Sequence, residues 1–142
     1  MSETEDRETG GRPVRRTMRI DAGAEGEIVA GRFTMVVAGT RRIGVTRLAN
    51  GDLRAIRDRC PHKAASICKG IVGGTWLPSK PGELDYGREA EIVVCPWHGF
   101  EYDLATGAEL FWPKGPSLRL YPTEVLEGRV FVIVPEAGAA QP

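Results

Sequence analysis

The sequence predicts an all-β fold, on three observations. Apolar runs rich in Val, Ile and Phe last only five to eight residues before a Gly or Pro turn cuts them, which is the pattern of short antiparallel strands. No window sustains a helical period. The 18 glycines and 10 prolines would break most helices in a chain of 142 residues. A chain of that length buries most of a compact core as one domain, and no repeat of fixed period divides it.

In chain order, the opening MSETEDRETGGRPVRR has only Met1 and Val14 as large apolar residues, so residues 1–16 are expected as a disordered tail. Arg15-Arg16 raises the question of a twin-arginine export signal. TMRIDAGAEGE follows where an apolar stretch would be required, and export is not expected. Then RFTMVVA, RRIGVTRL and DLRAIRDR read as a three-strand meander over residues 32–59. The first pair is separated by Gly39-Thr40 and the second by a turn containing Asn50-Gly51, which tolerates the positive φ of a tight hairpin. Near the end, SLRLYPTEVLE and RVFVIVP meet at Glu127-Gly128 as a closing hairpin. Val130, Val132 and Val134 share one face of it, and Pro122 marks an edge or bulge. Residues 136–142 form a second expected tail.

The charges balance, 19 basic against 19 acidic, and are interspersed, so there is no electrostatic case for nucleic acid or an anionic membrane. No apolar run approaches the ~20 residues of a membrane helix, and a cytoplasmic, membrane-free protein is expected. The 3 cysteines, an odd number, argue against a disulfide framework and leave metal binding or catalysis as their better use.

Only 2 histidines occur, and each closely follows a cysteine: CPH gives Cys60 and His62, and CPWH gives Cys95 and His98. One such loop is readily explained by a buried thiol and a hydrogen-bonded imidazole; two together favour a metal. Two thiolates and two imidazoles suit either a tetrahedral zinc or an iron–sulfur cluster with mixed ligands. Zinc fingers usually pair their cysteines locally and their histidines locally. Here each loop supplies one of each, with residues 63–94 between them. That symmetry fits a two-iron cluster better, each loop giving its Cys to one iron and its His to the other.

CPH followed by CPWHG resembles the ligand pattern of Rieske proteins, which carry a 2Fe-2S cluster with two cysteines on one iron and two histidines on the other. YDLATG after the second loop, the Gly115-Pro116 of WPKGPSLRLYP and the closing hairpin extend the likeness from about residue 26 to residue 135. The resemblance implies a Rieske-type antiparallel β-sandwich over residues 17–135, with a small cluster-binding subdomain of two ligand loops at about 58–116. It implies that Cys60 and Cys95 bind the buried iron, and His62 and His98 the outer one through Nδ1 with their Nε2 edges toward solvent. Trp97, Gly99, Tyr102, Gly115 and Pro116 would surround the ligands.

The chain departs from respiratory Rieske proteins, which add a cysteine to each ligand loop and join the two by a disulfide. The matching positions are Ala65 and Trp97, and Cys68 is expected as a small buried structural thiol behind the first loop. In high-potential relatives a serine just after HG donates a hydrogen bond to sulfur; Phe100 stands there, whereas Tyr102 keeps the place of a second donor. An insertion at about 75–90, WLPSKPGELDYGREA, reads as a surface loop or hairpin. Trp76, Trp97, Phe100, Phe111 and Trp112 are expected as an apolar collar of core side chains around the ligand loops.

With both histidines on the cluster, no site of two histidines and a carboxylate can also be built, and the chain is expected to have no catalytic residue of its own. The resemblance then implies a stand-alone one-electron carrier, like the ferredoxins of multicomponent oxygenases, between a flavin-containing reductase and a terminal oxygenase. The alternatives are a permanent cluster-bearing subunit of an oxygenase or nitrite-reductase-like complex, and a structural zinc module.

With one sulfur donor missing and one kept, a redox titration of the purified protein should find a midpoint nearer roughly -150 mV than +300 mV, and pH-dependent at alkaline pH. A midpoint near the upper figure, or one flat into strongly alkaline solution, would contradict this reading.

Overall fold

A computed structural model describes residues 16–61, 66–77, 85–96 and 99–136. Most of both expected tails, residues 1–15 and 137–142, lies outside that set. The described chain is built of ten strands in three antiparallel sheets, and its helical content is two short 3-10 turns, Glu25–Glu27 and Ile67–Lys69.

The meander is present as β2 (Thr34–Ala38), β3 (Arg41–Arg47) and β4 (Leu53–Arg57), paired in that order. The closing hairpin consists of β9 (Thr123–Leu126) and β10 (Arg129–Pro135), turning at Glu127 and Gly128 with φ of 51° and 80°. Two strands add to these elements. β1 (Thr17–Ala24) pairs along β10 from Thr17↔Pro135 to Ala24↔Arg129 and completes the sheet β1-β10-β9. The first half of SLRLYPTEVLE does not join the hairpin: β8 (Leu120–Tyr121) pairs instead with β4, making the second sheet β2-β3-β4-β8. Pro122 sits where the chain leaves one sheet for the other. It has no N–H to continue a ladder, and its carbonyl accepts from the Ile133 N–H at 2.9 Å.

These two sheets enclose a shared core. Ala22 of β1 and Val130, Val132 and Val134 of β10 meet Ile43 and Val45 of β3 and Ala55 of β4. Alternation along β4 then sends Ile56 to its other face, into a second core with Leu48, Ile67, Val93, Tyr102, Leu104 and Leu118. The third sheet covers that core. It comprises β5 (Ile71–Leu77), β6 (Asp85–Val94) and β7 (Glu101–Asp103). The stretch read as an insertion is the outer part of the β5–β6 hairpin, paired through Trp76↔Tyr86 and Leu77↔Asp85, with residues 78–84 outside the described set.

Arginine side chains tie loops to this frame. The Arg47 guanidinium donates to the carbonyls of Glu25, Ile28 and Gly51, each at 2.9 Å. Arg54 of β4 donates to the Ala105 carbonyl at 3.2 Å, linking the second sheet to the turn after β7. Each such bond gives a loop carbonyl a partner that the sheets do not supply.

Candidate metal centre

Both cysteine loops leave the ends of strands that pack on the second core. The first follows β4: Arg57 ends the strand, and Cys60 turns inward with no exposed surface. The chain re-enters the described residues at Ser66, passes through the Ile67–Lys69 turn and starts β5. The second follows β6, so Cys95, 1% exposed, comes directly after Val94. The register Ile71↔Val94 sets the end of the first loop against the start of the second. The approach is so close that a Cβ on Gly70 would collide with the Val94 carbonyl oxygen, which is why glycine stands there.

The second loop folds onto itself. The Cys95 N–H donates to the Phe100 carbonyl at 2.8 Å, and the Gly99 N–H donates to the Cys95 carbonyl at 3.0 Å. Gly99 takes a φ of 75°, in the left-handed region where a Cβ is strained. Such a tight return delivers Tyr102, on β7, to the core side of the third sheet, where it is fully buried. Its hydroxyl lies 3.7 Å from Cys60 Sγ. Burial first, then the neighbouring Cys60, Cys95 and Glu109, raises the Tyr102 pKa far above the usual phenol range. Tyr102 therefore keeps its proton and can donate it to sulfur.

Asp58 organises the first loop, and sequence reasoning passed over it. Its carboxylate, 1% exposed, accepts from the Ser66 hydroxyl at 2.7 and 2.8 Å, from the Cys68 N–H at 2.8 Å and from Arg42 Nε at 3.3 Å. Its own N–H donates to the Arg42 carbonyl at 2.8 Å. Burial alone would raise its pKa, but the bonds from Cys68, Ser66 and Arg42 outweigh that and hold it below the usual carboxylate range. One aspartate two residues before a cysteine carries no sequence signal of such a role.

Cys68 is packed against the second core, with its Sγ where a Cβ on Gly44 would fall. Burial, then the Asp58 carboxylate, pushes its thiol pKa up, which favours the protonated form. No disulfide joins the three cysteines.

The described residues thus bring Cys60, Cys95 and Tyr102 into one buried cluster; His62, Ala65, Trp97 and His98 lie outside the described set. Gly115 and Pro116 fall in a surface turn after β7, closed by the Gly115 N–H to the Trp112 carbonyl at 2.9 Å. The aromatic collar needs correction. Phe100 does pack against the second core, but Phe111 and Trp112 are 85% and 57% exposed. Their turn closes before reaching the core, and the Trp112 indole folds over Gly115, where a Cβ would lie 2.5 Å from the ring.

Two buried thiols with a phenol donor beside one of them suit iron–sulfur ligation: the apolar surroundings exclude water, and the O–H offers a hydrogen bond to a ligating sulfur.

Residues 18–122 match the family model of the Rieske [2Fe-2S] domain, which implies a 2Fe-2S cluster. The 3-phenylpropionate/cinnamic acid dioxygenase ferredoxin subunit of Escherichia coli K12 is 33% identical over 87 residues, covering 61% of this chain and 68% of that protein. Its counterpart in Photorhabdus laumondii is 31% identical over 87 residues, 61% of this chain and 69% of that protein. Among solved structures, one described as an NADH-dependent nitrite reductase small subunit from Mycobacterium tuberculosis is similar at a TM-score of 0.62 and 25% identity, over 83% of this chain and 96% of that one. A chain from the complex of reduced oxygenase and oxidized ferredoxin in carbazole 1,9a-dioxygenase reaches a TM-score of 0.59 at 25% identity, over 80% and 99%. With the match covering well over half of the chain and both cysteine loops, the chain belongs to the Rieske [2Fe-2S] domain family.

Proposed function

We propose that this chain is a one-electron carrier, with Cys60, His62, Cys95 and His98 holding one Rieske 2Fe-2S cluster in a domain spanning residues 17–135. The observation that carries the reading is the burial of Cys60 and Cys95 in one core, with the Tyr102 hydroxyl against the Cys60 sulfur. Its partners on this reading are a flavin-containing reductase as donor and a terminal oxygenase as acceptor. The likeness to dioxygenase ferredoxin subunits supports them. The lack of a disulfide among the three cysteines suits a reducing cytoplasm.

When bound, the cluster supplies the one-electron redox chemistry. The chain's own residues set its conditions. The second core keeps water from Cys60 and Cys95, and the Tyr102 proton stabilises negative charge at the Cys60 sulfur, an interaction that strengthens as charge accumulates there. Phe100, half-buried, has no side-chain proton to offer.

A second reading, a permanent subunit of a larger reductase or oxygenase, draws on the exposed Phe111 and Trp112 and on the likeness to a nitrite reductase small subunit. Expression from the native host separates the two. Elution as a free chain that a flavin reductase reduces supports the carrier; stoichiometric co-purification with a catalytic chain supports the subunit.

EPR of the dithionite-reduced protein tests the ligand set. An average g value clearly below that of an all-cysteine cluster is expected, whereas a colourless, EPR-silent, zinc-containing protein would overturn it. Tyr102→Phe should keep its iron and lower the midpoint potential. Taking about 1 kcal/mol for the lost bond, the drop is on the order of 40 mV for a one-electron couple. An unchanged potential would remove Tyr102 from the mechanism.

A further inference from the structure

We propose that Asp58 is a positioning residue for the metal centre: its carboxylate closes the first cysteine loop and fastens it to β3, fixing Cys60 and setting part of the electrostatic field there. The inference rests on the reading of Cys60 as a ligand.

The geometry carries it. One side chain gathers Ser66 and the Cys68 N–H from the far side of the loop and Arg42 from the neighbouring strand, all at 2.7 to 3.3 Å, while its backbone N–H returns to the Arg42 carbonyl. Cys60 lies between the two stretches so joined. Both carboxylate oxygens act as acceptors, Oδ1 for Ser66 and Cys68 and Oδ2 for Ser66 and Arg42. An asparagine of the same shape cannot replace it, because its amide would turn a donor toward Ser66 and either Cys68 or Arg42. A carboxylate this buried is costly to desolvate unless its bonds are made, which favours the arrangement that keeps Ser66 and Cys68 against the end of β4. The chain has no disulfide among its described cysteines to do the same work.

The two charges of the node act on the centre with opposite sign. A buried anion disfavours an added electron and a nearby cation favours it. Removing the Asp58 charge should therefore raise the midpoint potential, and removing the Arg42 charge should lower it by less, since that side chain is 56% exposed and screened by water.

The test uses the purified full-length holoprotein and the variants Asp58→Asn, Ser66→Ala and Arg42→Gln. Three readouts are taken: the rate of iron loss to a chelator, the midpoint potential by voltammetry, and hydrogen exchange at the Cys68 amide. Asp58→Asn is expected to release iron at least tenfold faster, to shift the potential upward and to lose protection at Cys68. Ser66→Ala should speed iron release without raising the potential, and Arg42→Gln should shift the potential downward. Should Asp58→Asn fail to fold, the other two variants still decide. A loop role without the electrostatic one would move Asp58→Asn and Arg42→Gln in the same direction, which overturns the field component. Wild-type values in every variant would overturn the whole inference. A wild-type protein lacking the mixed-ligand EPR signature would instead overturn the ligand assignment, and the Cys68 exchange would still report whether Asp58 closes the loop.

Discussion

Strand β4 is buried on both faces, and the rest of the molecule depends on that constraint. Ala55 completes the sandwich core and Ile56 the second core, both with no exposed surface. Because side chains alternate, a slip of one residue would exchange the two sets and disrupt both cores at once. The register is therefore strongly determined, and the first cysteine loop, which begins where β4 ends, inherits it. β8 strengthens the arrangement: Tyr121 joins the first core and Leu120 packs against the second.

From this frame the two loops are brought together by ordinary sheet pairing. Ile71↔Val94 sets their flanks side by side, and Val93↔Tyr102 returns the chain so that the phenol reaches the thiol of the other loop. The site needs no strand or helix of its own. It is the edge of a hydrophobic core into which two thiols and one hydroxyl are turned, with Gly70 where a Cβ would strike the Val94 carbonyl and Gly99 where the backbone takes a positive φ.

How much of this was legible in the sequence depended on the range of the interactions. The meander and the Glu127-Gly128 turn were legible because hairpins are decided by neighbours in sequence, and the two loops that bring Cys60 and Cys95 into one core because cysteines are scarce in the chain. β1 has the required alternation in Met18, Ile20 and Ala22, but Asp21 and Gly23 obscure it; only β10, far along the chain, makes it a strand. β8 is two residues long and owes its existence to β4. Phe111 and Trp112 look like core residues by type, yet a turn that closes early leaves them in water. Asp58 was illegible for the opposite reason: nothing distinguishes it from a surface aspartate except partners that arrive ten residues later and from another strand.

That node also offers a way to join the two ends of a loop without a covalent link. Closing a segment of this size by chain fluctuation costs on the order of a few kcal/mol of entropy, about what a disulfide offsets by restricting the unfolded chain. A carboxylate with several charge-assisted hydrogen bonds, each contributing roughly 1.5–3 kcal/mol, can reach the same scale after part of that gain is lost to its desolvation. The two devices differ in their dependence on surroundings. A disulfide fails in a reducing compartment, whereas a buried aspartate, its pKa held low by the groups it binds, stays ionised wherever the cell is near neutral. In a chain with no disulfide among its three cysteines, closure by hydrogen bonds holds Ser66 and Cys68 against the end of β4 without using any cysteine sulfur.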